Sequence, residues 1–200
     1  MASPFCYFLR LVIDMRLRPR IQWFLKPIGR FLARMGLSPT FVTLFGLAVA
    51  VLGAVVIGTG ELFWGGLIAL AGSAIDGLDG SVARAASKVS ARGAFLDAVV
   101  DRLGEIAVLT GLAVSQRGDA RILLLTTLSM GAALLIPYVR AKADAVGIEG
   151  RSGIMGRAER VILVTLGLMT GLVEPMLWVL IVSSWFTVGQ RFWSTYRLID

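Results

Sequence analysis

Long apolar runs dominate this chain and restrict what it can fold into. Phe41 to Gly58, Leu62 to about Ala86, and Ala91 to Ser115 follow one another with only short polar turns between them. After the polar stretch 116–121 come Ile122 to about Ala145, Ala158 to Leu172, and Met176 to about Thr195. A helix of about 20 residues crosses the roughly 30 Å hydrocarbon layer of a bilayer, and there its backbone N–H and C=O groups must be satisfied internally. The expected fold is therefore all-α: a polytopic membrane protein with six transmembrane helices. Hydrophobic residues make up 56% of the 200 and charged residues only 16%, which excludes an ordinary soluble domain.

Residues 1–39 read as an interfacial arm ahead of a membrane domain at 40–200. In the arm Ile21, Phe24, Leu25, Ile28, Leu32 and Met35 recur at helical spacing, while Lys26, Arg30 and Arg34 fall on another face. That pattern predicts an amphipathic juxtamembrane helix lying in the membrane interface, kinked or broken at Pro27. Residues 1–16 show neither the clean apolar core nor the small-residue cleavage site of a signal peptide. Ser38 or Thr40 is placed to cap the helix that follows.

The formal net charge is +7, and the basic residues gather at the ends of apolar runs. The arm, the 84–92 turn, the 140–160 region and the carboxy-terminal end hold nearly all of them, whereas the opposite loops have only Arg117 and Arg121. The positive-inside bias then places both termini, and with them the acids at 76–101, on the cytoplasmic side of the cell membrane. Such a distribution suits membrane lipids and anionic substrates rather than nucleic acid. The single cysteine, Cys6, excludes an internal disulfide and thiolate metal ligation. Histidine is absent, so any general base must be a carboxylate, a lysine or a tyrosine, and histidine-nucleophile phospholipid transfer is excluded.

Against this apolar background stands a group of carboxylates: Asp76, Asp79, Asp97 and Asp101. Ionised groups sit inside hydrocarbon only when paired, wetted or bound to a cation. Residues three and four apart share a helix face, so Asp76, Asp79, Gly80 and Ala83 are expected on one side of one helix, and Gly93, Asp97 and Asp101 on one side of the next. The small residues on those faces would let the two backbones approach closely. Four acids drawn together repel one another unless protonated or neutralised by metal. All-oxygen ligands point to a hard divalent cation, Mg²⁺ with Mn²⁺ or Ca²⁺ as alternatives. Two ions would match the number of acids and suit phosphoryl chemistry. The competing reading pairs these acids with Arg84, Lys88, Arg92 and Arg102 as structural salt bridges.

The run Asp76-x2-Asp79-Gly80-x2-Ala83-Arg84-x8-Gly93-x3-Asp97-x3-Asp101 resembles the defining pattern of the CDP-alcohol phosphatidyltransferases, with each position met. The resemblance extends to the six-span layout. It implies transfer of a phosphatidyl group from a CDP-lipid such as CDP-diacylglycerol to an alcohol, with release of CMP. It also implies Asp76, Asp79 and Asp97 as metal ligands, and Asp101 as general base and further ligand. A carboxylate is ordinarily too acidic for a base, and crowding by other acids works against that. Gly80, Ala83 and Arg84 would receive the nucleotide and its phosphates. In the family a Pro-Asn or Pro-Asp followed two residues later by Thr helps hold the nucleotide. Here the run is Pro39-Thr40-Phe-Val-Thr43, so Thr40 departs from the pattern while Thr43 keeps it. Family members tend to be homodimers, and Gly46, Gly53 and Ala54 are small residues suited to helix packing.

Arg140, Lys142, Arg157, Arg160 and Arg191 are the candidates for the acceptor. Guanidinium groups recognise phosphate in planar, bidentate fashion, and a neutral alcohol would not need them. A phosphorylated acceptor is therefore favoured, the bland alternative being ordinary positive-inside anchors. Tyr138-Val-Arg140-Ala-Lys142 followed by Gly156-Arg157-Ala158-Glu159-Arg160 resembles the phosphatidylinositol phosphate synthase branch, which uses inositol phosphate. Phosphatidylglycerophosphate synthesis from glycerol 3-phosphate is the runner-up. Glu105, four residues past Asp101, is expected to bond to Arg102 rather than serve the acids. Of other classes, a membrane prenyltransferase would space its acids differently, and a cation transporter would show repeat symmetry that is missing.

Overall fold

The computed structural model describes residues 27–86, 89–148 and 153–199, and no strand occurs among them. The first 26 residues, with most of the arm and the start of its amphipathic stretch, lie outside the described residues. Residues 27–34 are helical. Seven helices follow: α1 (Pro39–Gly58), α2 (Leu62–Asp76), α3 (Asp79–Ala85), α4 (Ala91–Ser115), α5 (Ala120–Ala145), α6 (Arg157–Thr170) and α7 (Val173–Tyr196).

Local chemistry sets their ends. Ser38 Oγ accepts from Phe41 N at 3.1 Å, with Pro39 opening α1 where its missing N–H costs nothing. Ser90 Oγ does the same for Gly93 N ahead of α4, and Asp119 Oδ1 takes both Arg121 N and Ile122 N at the start of α5. Gly171, at φ +72°, ends α6 in the left-handed conformation that suits glycine.

Among the described residues, three stretches are long and apolar enough to cross a membrane: α1, the run Leu62–Ala85 through α2 and α3, and α5. The other three expected spans are helices in the expected places but do not meet that description. Helix α4 carries Arg92, Asp97, Asp101, Arg102 and Glu105. Helix α6 has 14 residues, about 21 Å at 1.5 Å per residue. In α7 the apolar residues are diluted by Glu174, three serines, Gln190 and Arg191. Large apolar side chains nonetheless cover the outside of the helices: Phe45, Val55, Leu124 and Val182 are each at least half exposed. So much exposed hydrocarbon fits a surface solvated by lipid, not water.

The chain divides into two compact units. The first comprises Met1–Ala48 and Gly72–Asp101. In it the helical residues 27–34 pack on α3, where a Cβ on Gly29 would lie 2.8 Å from Ser81 Cβ. Ile28, Phe31 and Met35 remain exposed on that segment, beside exposed Arg30 and Arg34. The second unit comprises Val49–Ala71 and Arg102–Asp200. Its core gathers Ile57, Leu109, Leu112, Leu125, Leu168, Leu177 and neighbours, with α5 and α6 both packed on α7. Gly53, Ala54 and Gly65 are consumed by packing within this unit. A Cβ on Gly53 would sit 2.5 Å from Ala69 N, one on Gly65 2.6 Å from Ile57 N, and one on Gly111 would strike the Ala54 carbonyl.

Candidate metal centre

The expected straight helix through Asp76 and Asp79 is interrupted. Helix α2 ends at Asp76, Gly77 and Leu78 form a turn, and α3 begins at Asp79. Leu78 N bonds back three residues to the Ile75 carbonyl at 3.0 Å, a tighter pitch than the α-helix. Gly77 is the weak point, since glycine is among the poorest helix formers. The break separates the first two acids that the spacing had placed on one continuous face.

One carboxylate oxygen from each of Asp76, Asp97 and Asp101 can be chosen so that all three lie within 4.8 Å of one another. Asp76 is buried, at 3% exposure, and Asp97 and Asp101 are half-buried, one turn apart on α4. Asp79 stands outside this trio. Its Oδ2 accepts a hydrogen bond from Thr43 Oγ1 at 2.7 Å, and the same hydroxyl lies 3.0 Å from the Pro39 carbonyl. Thr43 is thus buried and spoken for within the protein, whereas Thr40 is exposed on the first turn of α1.

The expected close approach of backbones through Gly80 and Gly93 is not the arrangement found. Among the described residues, a Cβ on Gly80 would meet only the Arg84 guanidinium, at 3.4 Å, and one on Gly93 only Ser90 Oγ, at 3.3 Å. Arg84 is exposed, its Nη2 3.3 Å from Ser81 Oγ, and Ala83 is half-buried. The tight approach falls on Gly46 instead. A Cβ there would lie 2.7 Å from Asp76 N and 2.9 Å from the Gly72 carbonyl. Gly46 therefore admits the α2 backbone that carries Asp76. The small-residue character of α1 was the available signal for this, but it does not name a partner.

The donor set fits a hard divalent cation. Carboxylate oxygens are the donors that Mg²⁺ or Mn²⁺ prefers, and these three would leave the remaining positions of an octahedral ion to water or substrate oxygens.

The basic candidates divide by burial. Arg140 and Lys142 are exposed near the end of α5, with Arg140 Nε 3.8 Å from Asp144 Oδ2 and Lys142 Nζ 5.8 Å from the Tyr138 ring centre. Arg157 opens α6 and is half-buried. Arg160 and Arg191 are buried, at 2% and 7% exposure. Arg191 Nη1 donates to the Ile136 carbonyl at 2.8 Å. Arg160 donates from Nε and Nη2 to the two oxygens of Glu105, at 2.6 and 3.0 Å. Glu105 also accepts from Arg102 Nη1 at 3.0 Å, the expected local partner. The Arg160 contact, 55 residues away, has no local sequence signal.

Three acids brought within 4.8 Å of one another in a helical chain clad in apolar side chains are a donor set suited to a metal-assisted reaction at a membrane. The family model for CDP-alcohol phosphatidyltransferases matches residues 36–190, and the chain belongs to that family. A phosphatidylinositol phosphate synthase from Mycobacteroides abscessus is 38% identical over 176 residues, covering 82% of this chain and 80% of the relative. An archaetidylinositol phosphate synthase from Methanothermobacter thermautotrophicus is 36% identical over 180 residues, covering 87% and 89%. Crystal structures of the Mycobacterium tuberculosis phosphatidylinositol phosphate synthase superpose with TM-scores of 0.81, in complex with manganese and citrate, and 0.80, with CDP-DAG bound. Each is 31% identical to this chain and covers 86% of it, and the chain covers 88% and 93% of them respectively.

Proposed function

We propose that this transferase moves a phosphatidyl group from CDP-diacylglycerol to a hydroxyl of inositol phosphate, giving phosphatidylinositol phosphate and CMP. The observation that carries the reading is the convergence of Asp76, Asp97 and Asp101, together with relatives whose names specify inositol-phosphate lipids. Asp76, Asp97 and Asp101 would hold the cation, with Asp79, anchored by Thr43, able to serve a second. Mg²⁺ is the proposed ion and the count two, Mn²⁺ being the metal in the relative's crystal structure. When bound, the metal supplies charge neutralisation at the diphosphate of the CDP-lipid.

The protein's own residues do the rest by positioning. Arg84, whose guanidinium lies over Gly80, pairs with a phosphate, and the nucleotide lies beside Gly80, Ala83 and Thr40, with Thr43 acting through Asp79. Asp101 accepts the proton of the acceptor hydroxyl as that oxygen bonds to the phosphatidyl phosphorus. The phosphorus–oxygen bond to CMP breaks, and CMP leaves with its electron pair. Arg140, Lys142, Arg157 and Arg191 are the cations proposed for the acceptor phosphate. Family membership leaves the cation-transport alternative without support.

The finer architecture belongs to the same reading. Helices occur at all six expected spans, which supports six crossings. Exposed Ile28, Phe31 and Met35 beside Arg30 and Arg34 support an interfacial helix before them. The distribution of arginine and lysine supports cytoplasmic termini in the cell membrane, and a homodimer is the proposed assembly.

The decisive experiment measures CMP release from CDP-diacylglycerol by the purified protein with Mg²⁺. Inositol phosphate, free inositol and glycerol 3-phosphate are compared as acceptors. Turnover with inositol phosphate is expected. Turnover only with free inositol would defeat the argument from the basic residues, and preference for glycerol 3-phosphate would shift the substrate to the runner-up.

A further inference from the structure

Glu105 is the hub of a charge network that none of the proposed chemistry uses. Its side chain is 13% exposed and that of Arg160 only 3%. The Arg160 guanidinium meets it in a two-pronged fork, Nε to Oε1 and Nη2 to Oε2. Arg102 Nη1 reaches the same Oε2 and also lies 3.5 Å from the Ala133 carbonyl on α5. That carbonyl is four residues before Pro137, whose missing N–H removes its usual helical donor. One carboxylate thus ties α4 to α6 and, through Arg102, to α5 at its proline. An apolar cluster would hold three helices at least as firmly. What a bidentate fork adds is a fixed rotation of each helix about its axis.

Two of the three tied helices, α5 and α6, carry cations proposed for the acceptor. Arg157 lies one turn before Arg160 on α6, and Arg140 and Lys142 follow Pro137 on α5. Arg160 has Nε and Nη2 committed to Glu105 and a side chain only 3% exposed, so it is poorly placed to receive a phosphate from solution. We propose that Glu105 and Arg160 are a positioning pair: they aim Arg157, Arg140 and Lys142 at the acceptor phosphate, and Arg160 does not itself bind it. The inference rests on the phosphorylated-acceptor reading above.

The test uses the full chain in detergent or nanodiscs, with inositol phosphate, CDP-diacylglycerol and Mn²⁺ as probes. Glu105→Gln and Arg160→Lys should each raise the KM for inositol phosphate about tenfold or more, because a lysine cannot replace a bidentate guanidinium and a small misplacement is costly. The KM for CDP-diacylglycerol and the affinity for Mn²⁺ should stay within about twofold of wild type. The doubly substituted protein should be no worse than the poorer single variant, as expected of residues acting as one unit. A raised acceptor KM in Arg160→Lys with Glu105→Gln unchanged would make Arg160 a direct ligand and overturn the proposal. So would equal losses in both KM values alongside a lowered melting temperature, which would mark a scaffold only. Should Glu105→Gln fail to fold, Glu105→Asp keeps the charge, shortens its reach and is judged by the same split. Wild-type protein inactive on any phosphorylated alcohol would sink the functional reading itself; an active wild type whose variants show no split sinks only the pair.

Discussion

The two units handle buried charge in opposite ways. In the first, three carboxylates of one sign are drawn within 4.8 Å. In the second, Glu105 closes on Arg160 and Arg102 so that charge is answered inside the protein. Like charges held together store repulsion that a cation relieves, and the arrangement makes sense as a binding site. Opposite charges held together need no ligand and serve to hold helices in register. The same residue types therefore mean different things according to what faces them.

The contrast is broken most severely by removing an acid of the trio. Asp97→Asn should lower turnover about a thousandfold or more, because phosphoryl transfer depends on positioning and charge neutralisation. Mn²⁺ titration of the purified variant should show weakened binding with the helical content intact. Retained metal affinity would mean that the trio is not the metal site. Asp101→Asn should cost about 10²–10⁴-fold in turnover, the usual range for a general base, while CDP-diacylglycerol binding persists. Near-normal turnover would remove Asp101 from that role.

Much of the fold could be read from the chain because its determinants are local. Helix α4 begins and ends where the apolar pattern and its flanks predict, and the cap at Ser38 follows from a serine just ahead of the run. The acids were legible for the same reason, since Asp97 and Asp101 are one turn apart. What could not be read was pairing across distance. Glu105 showed its neighbour Arg102 but not Arg160, 55 positions on. Pro137 leaves the Ala133 carbonyl without its helical donor, and nothing local says that Arg102 lies beside it. The break at Gly77 was hidden because a run that continues to about Ala86 looks the same whether or not one turn inside it tightens.

Gly46 sharpens the comparison by testing whether the acid trio depends on its scaffold. A Cβ at 2.7 Å from Asp76 N cannot be absorbed by a flexible side chain, because the obstacle is backbone. Gly46→Ala should push α2 away and displace Asp76. A shift of that order is expected to lower activity by about ten- to a hundredfold. The measurement is turnover together with Mn²⁺ affinity, and both should fall. Unchanged Mn²⁺ affinity would show that Asp76 tolerates the movement.

The smallest effect is expected where charge pairing occurs in the open. Arg121 Nη2 lies 2.8 Å from Glu174 Oε1, a shorter contact than that between Arg102 and Glu105. Distance alone would rank it the stronger pair. The side chains are 66% and 37% exposed, however, and solvent screens such a pair while both long side chains lose freedom in making it. Arg121→Ala should therefore change stability by about 0–1 kcal/mol and leave acceptor KM untouched. Thermal unfolding of the detergent-purified protein, run beside Glu105→Gln, provides the check. A loss from Arg121→Ala equal to that from Glu105→Gln would show that burial does not separate the two pairs, and the buried Glu105–Arg160 pair would lose its claim to hold the helices in register.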